Sequence, residues 1–130
     1  MEHPNVTLVR KFYDARARND KEAVKEILAE NVSWHDPYPP PHGGDLVGAD
    51  AVFRDIFDKA AELTGGTTQL RLHGVIANDE LAVAIVSWSS SYRGEVMEGT
   101  EAAVYRIRGS KLVEAWFHPA DKAASDKFFE

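Results

Sequence analysis

Trp34-His35-Asp36-Pro37 sets an indole, an imidazole and a carboxylate side by side where a strand is expected to end. An acid held at a strand end among large apolar neighbours has its pKa pushed toward neutrality, because burial penalises the charged form. A carboxylate tuned in this way can take up a proton and return it. The same residues also suit an ordinary turn, in which the aspartate only bonds nearby backbone amides. His118, just before Pro119, is a second titratable group at a strand end. It could move a proton near neutral pH, or bond solvent or a backbone carbonyl. Asp121 follows as a further acid, better suited to capping the last turn.

The elements that must position these groups are written in the periodicity. Asn5 can cap a helix to about Arg18, with Val6, Val9, Phe12, Tyr13 and Arg16 at helical spacing. Asp20 caps a second helix whose Ala23, Val24, Ile27 and Leu28 form one stripe, and Asn31 stops it. Val32, Trp34 and Asp36 then share one strand face, with Ser33 and His35 on the other. Pro37, Pro39, Pro40 and Pro41 end any pairing, so residues 37–48 read as a loop holding His42. Asp50 caps a third helix through Phe53, Ile56, Phe57, Ala60 and Leu63, and Gly65-Gly66 ends it.

From Thr67 the period becomes 2. Leu70 and Leu72 face one way and His73 the other; strands follow over 81–92, 97–108 and 111–118, parted by Asn78-Asp79, Arg93-Gly94 and Gly109-Ser110. A short amphipathic tail with Phe128 and Phe129 closes the chain. Three helices followed by a meander of long antiparallel strands is an α+β pattern, read as one domain over residues 1–130.

Composition narrows the function classes. The net charge of −6 comes with scattered cations and no basic block, so no nucleic-acid partner is expected. The absence of cysteine removes disulfides, thiolate catalysis and Cys-based zinc sites. Met1-Glu2-His3-Pro4 lacks the build of a signal peptide, and the nearly apolar run Leu81–Val86 is too short to cross a bilayer. The expectation is a soluble cytoplasmic protein with no membrane partner. There is no glycine-rich phosphate loop and no Gly-x-Ser-x-Gly elbow, and His35-Asp36 with His42 or His118 lacks specific metal-ligand spacing. No cofactor and no metal are expected.

A long curved sheet with helices on one face must leave space between them. Phe12, Tyr13, Trp34, Phe53, Phe57, Trp88 and Trp116 are the expected lining, although each alone would also serve as plain core. Val83 and Ile85 lie on the opposite strand phase, open to a second copy.

The order of these signals resembles the SnoaL-like and ketosteroid-isomerase-like proteins of the nuclear transport factor 2-like superfamily. The residues that carry the likeness are Val9-Arg10-Lys11-Phe12-Tyr13 with Asn19-Asp20, Val32-Ser33-Trp34-His35-Asp36-Pro37 and Gly48-Ala49-Asp50-Ala51-Val52. Tyr105-Arg106-Ile107-Arg108 through Lys111-Leu112-Val113-Glu114-Ala115-Trp116 extends it over nearly the whole chain. The resemblance implies a cone: three N-terminal helices packed in a strongly curved, mixed but mostly antiparallel sheet, with a pocket at one end and dimers common.

Steroid isomerases of this group use an aspartate before a proline as general base, and Asp36 falls on that position. Their oxyanion hole uses a tyrosine and a protonated acid. Phe12 and Ala103 stand at those two places, so steroid isomerisation by that route is disfavoured. Glu101 lies two residues before Ala103, hence on the same strand face, and is a substitute donor. Tyr13 is about 100° round the helix from Phe12 and is a weaker one.

The reading is a cofactor-independent acid/base enzyme acting on a small apolar carbonyl compound by isomerisation or aldol-type cyclisation. Asp36 is its base, and His118 or Glu101 its oxyanion donor. The alternatives are a non-catalytic small-molecule binder and a dimeric interaction module on the same fold. Cavity volume separates the last from the others, because ligand sites usually exceed about 300 Å³.

Overall fold

The computed structural model describes residues 2–37 and 44–128. Helix α1 (Pro4–Ala17) begins one residue before the expected cap. The His3 imidazole is the cap, its Nδ1 accepting from the Asn5 amide at 3.0 Å. Pro4 then takes the first helical position, where a missing amide costs nothing. Asn19, in the left-handed region at φ 55°, turns the chain into α2 (Lys21–Ile27). Asp20 caps that helix as expected, accepting from the Ala23 amide at 3.1 Å.

Strand β1 (Leu28–Asp36) starts at Leu28, so Asn31 lies inside a strand rather than at a helix end. Within the segment read as a loop there is a short strand, β2 (Gly44–Val47), paired antiparallel with β1 from Ser33↔Val47 to Asp36↔Gly44. No proline lies in Gly44 to Val47, and all four have amides to donate. His42 lies outside the described residues.

Gly48, at φ 101°, and not Asp50, precedes the third helical region. That region is one continuous rod in three parts: α3 (Ala49–Val52), a π-helical segment (Phe53–Asp58) and α4 (Lys59–Thr64), ended by left-handed Gly65.

The remaining strands are β3 (Gln69–Ala77), β4 (Leu81–Tyr92), β5 (Glu95–Arg108) and β6 (Lys111–Pro119), followed by α5 (Lys122–Phe128). The six strands form one curved sheet in the order β2-β1-β6-β5-β4-β3, with helices packed on it. Only β1 against β6 is parallel. No helix among the described residues is long and apolar enough to cross a membrane.

Bulges in β3 and β6 decide which of their side chains face the helices. In β3 the pairing steps from Leu72↔Val86 to Gly74↔Ile85, leaving His73 as the extra residue. In β6 it steps from Ile107↔Leu112 to Arg106↔Glu114, leaving Val113 extra. A one-residue bulge reverses the phase of everything beyond it. Leu112 faces the core, and beyond the bulge so do Ala115 and Phe117, while Trp116 and His118 turn to the other face. Strict alternation from Leu112 would have given the opposite. Beneath the helices Val9, Phe12, Val32, Trp34, Val86 and Tyr105 are almost wholly buried.

Candidate active site

The sheet and the helical rod border a cavity of about 140 Å³ that opens to the surface. Strand β1 contributes Trp34 and Asp36, β6 contributes Phe117, β5 contributes Glu101, and β4 contributes Trp88 and Ser90. Arg16 enters from α1, with Ile56, Ala60 and Thr64 from the rod. An apolar cavity of about 150 Å³ holds one benzene, so the inner space matches a single ring. It also falls below the usual range for drug-sized ligands, about 300–1,000 Å³.

Asp36, Glu101, Trp34 and Trp88 therefore stand around one space. The other expected site residues do not join them. Trp116 and His118, behind the β6 bulge, are on the opposite sheet face: Trp116 stacks on His35 with ring centroids 5.7 Å apart, and His118 is exposed. Phe12 is solid core at 0 % exposure. Tyr13 is buried beneath the cavity, with its hydroxyl bonded to that of Tyr105 at 2.5 Å. Phe53 and Phe57 line an adjoining groove between the rod and α1 and α2, with Phe57 edge-on to Trp34. Ala103, at the place of the family acid, is fully buried among apolar residues.

The charges that meet at the cavity have distinct environments. Burial pushes the Glu101 carboxyl above its ordinary value, and the Arg16 guanidinium partly offsets that shift. Burial likewise raises the Tyr13 hydroxyl to about 12, against the opposing pull of its bond to Tyr105 and of Arg16. Arg16 lies over the Phe57 ring, 4.5 Å from its centroid, and 5.6 Å from that of Phe12. The Trp34 indole packs on Phe117 at 4.9 Å and edge-on to Phe57 at 5.6 Å. Its Nε1 is fully buried without a hydrogen-bond partner.

On the far wall the Thr68 hydroxyl bonds those of Ser90 at 2.7 Å and Thr64 at 3.2 Å, while Thr64 donates to the Ala60 carbonyl. Among the described residues no three His, Asp or Glu side chains group as a metal ion would require.

Arg16 and Phe117 went unrecognised from sequence. Arg16 had a signal, since it is the one charged member of the buried stripe of α1. Phe117 had none, because only the bulge at Val113 brings it inward. His35, by contrast, faces outward as its phase required, between Asp45 at 3.0 Å and Glu114 at 2.8 Å. Asp121 caps the last helix by accepting from the Ala124 amide at 3.0 Å.

Known proteins share this architecture. An uncharacterised protein of Mycobacterium tuberculosis is 28 % identical over 126 residues, covering 96 % of this chain and 95 % of its own. Bal32a, from a soil-derived mobile gene cassette, superposes with a TM-score of 0.92 at 26 % identity, over 98 % of this chain and 97 % of that one. IdmH of Streptomyces antibioticus, described as a putative polyketide cyclase, shares the fold with a TM-score of 0.74 at 13 % identity, over 99 % and 100 % of the two chains. The family model of the SnoaL-like domain matches residues 9–115. This chain belongs to the SnoaL-like family.

Proposed function

We propose that the protein is a cofactor-independent acid/base enzyme acting on a single-ring carbonyl compound held in the cavity. The observation that carries this reading is that Asp36 and Glu101 both line one aromatic-walled space, approached from β1 and from β5 with Phe117 on β6 between them. The Asp36 carboxylate takes a proton from the carbon beside the carbonyl. The electron pair of that C–H bond becomes the enolate, whose oxygen receives a hydrogen bond from the Glu101 carboxyl. Burial favours the protonated form of Glu101 that can donate it. Asp36 then returns the proton to another carbon for isomerisation, or the enolate attacks a second carbonyl for ring closure.

The test is protein-dependent deuterium incorporation beside the carbonyl of single-ring ketones, with and without a carboxylate, followed by NMR in D2O. Asp36→Asn should slow exchange about a hundredfold or more, the usual worth of a positioned base. Full exchange in that variant, or none in the wild type across the panel, overturns the assignment.

The apolar residues at Phe12 and Ala103 favour a second reading, a non-catalytic binder of the same single-ring molecule, whereas a volume below about 300 Å³ favours the third, a dimeric interaction module. The second reading requires binding that survives Asp36→Asn with no exchange in either protein. A homodimer through the outer sheet face is part of the proposal, supported by the exposure of Ile76 and Ile85 there; sedimentation would read it.

A further inference from the structure

The cavity holds two donors that the fold leaves unspent. The first is Arg16, whose guanidinium carries five N–H groups and no acceptor. Among the described residues no hydrogen bond or ion pair engages it, its contacts being the Phe57 and Phe12 rings. Stacking occupies the flat face of a guanidinium and leaves its N–H edge for a planar acceptor. The second is the Trp34 Nε1–H, fully buried without a partner in a residue that lines the same cavity.

A buried donor left without an acceptor is costly and persists where a ligand or water supplies the missing atom, which applies to the Trp34 Nε1–H, while Arg16 is half-buried. Both donors call for oxygen acceptors, and a cation among them calls for negative charge. We infer that the ligand of this cavity is a single-ring compound bearing an acidic oxygen, a carboxylate or an enolate, selected by Arg16 with Trp34 as second donor.

This inference rests on the cavity being the reaction site, as proposed above, but it concerns recognition and not turnover. Glu101 shares the electrostatic field of Arg16. Asp36, Asp55 and Lys59 line the cavity as well, and an anionic ligand gives Arg16 the bidentate partner that none of the described side chains supplies. The hydroxyls of Thr68 and Ser90 bond each other, so the polar demand falls on the side of Arg16 and Trp34.

The experiment compares benzoate with benzamide, isosteres that differ in charge, by calorimetric titration of the full chain and of Arg16→Gln and Arg16→Lys. Wild type should bind benzoate about tenfold to a hundredfold more tightly than benzamide, the range expected for a charge-assisted contact. Arg16→Gln should erase that ratio while still binding benzamide, and Arg16→Lys, which keeps the charge and the stem, should retain part of it.

Equal affinities in the wild type overturn the inference, as does a ratio that survives Arg16→Gln or a failure to bind either compound. Asp36→Asn should keep the benzoate preference, so a failure of the base assignment and a failure of this one give different results.

Discussion

The indole of Trp88 lies directly across the side-chain side of Gly99, its partner on the neighbouring strand. A Cβ built on Gly99 would sit 2.7 Å from the indole Cε2 and Cζ2 and 2.8 Å from Nε1, closer than carbon atoms approach. The glycine is therefore the seat of a cavity wall: it lets a large ring lie flat on the sheet beside the other lining residues. Gly99→Ala should drive the ring off its seat, with an overpacking cost of about 1–3 kcal/mol. The check is a urea melt combined with Trp fluorescence. An unchanged spectrum and an unchanged midpoint would show that the ring does not rest there.

His35 ties β2 to β6 across β1. Its imidazole lies between Glu114 at 2.8 Å and Asp45 at 3.0 Å, and these two bonds raise its pKa above the ordinary 6.5. A group whose pKa is raised by folding adds stability below its unfolded value. That stability is lost as pH climbs through the folded value. The wild type should therefore lose a few degrees of melting temperature from slightly acid to slightly alkaline pH, and His35→Gln should lose less. Parallel slopes for the two proteins would contradict the bridging role.

Tyr13 and Tyr105 hold each other's hydroxyls in the core, bonded at 2.5 Å. Removing one hydroxyl leaves the other buried and unpaired, at about 1–3 kcal/mol, whereas removing both leaves no orphan. Tyr13→Phe and Tyr105→Phe should each destabilise, and the double variant should cost less than the two together. With burial raising both hydroxyls, Tyr13 to about 12, neither should titrate in the folded protein near the ordinary value of 10.0. Additive single costs, or two extra phenolates appearing near pH 10 before unfolding, would count against the pair.

Much of the fold was legible in the sequence because periodicity reports burial directly. The run Leu81–Tyr92 alternates along its whole length and is one strand with those bounds. Asp20 and Gly65 mark helix ends because a carboxylate cap and a left-handed residue are local needs. Asp36 could be aimed at the interior from the phase of Val32 and Trp34 alone.

What escaped was set by distant partners. Leu28 continues the stripe of α2 yet opens β1, since pairing with Leu112 of β6 outweighs one more helical turn. The bulge at Val113 belongs to the fit between β5 and β6, and it carried Trp116 and His118 out of the cavity and Phe117 into it. The π-helical stretch of the rod had no signature in the spacing of Phe53, Ile56 and Phe57.

Glu101 offers the last prediction, because a buried carboxyl at a working site should cost the fold something. Burial raises its pKa above the ordinary 4.5, with Arg16 only partly opposing, so between the unfolded and folded values the native state holds a proton that the unfolded chain has released. Stability then falls as pH rises from 4.5 through the folded value, and the cost of the charged form is fully present above it. Glu101→Gln keeps the shape and removes that charge. It should melt higher than the wild type near neutral pH, and the gap should close as pH falls through the carboxylate range. The Gln amide still donates a hydrogen bond, so the same variant should keep part of the deuterium exchange on ketones, whereas Glu101→Ala should lose it. A Glu101→Gln variant less stable than the wild type at neutral pH would instead make the Glu101 carboxylate a net stabiliser through Arg16, and would remove it as the proton-bearing donor.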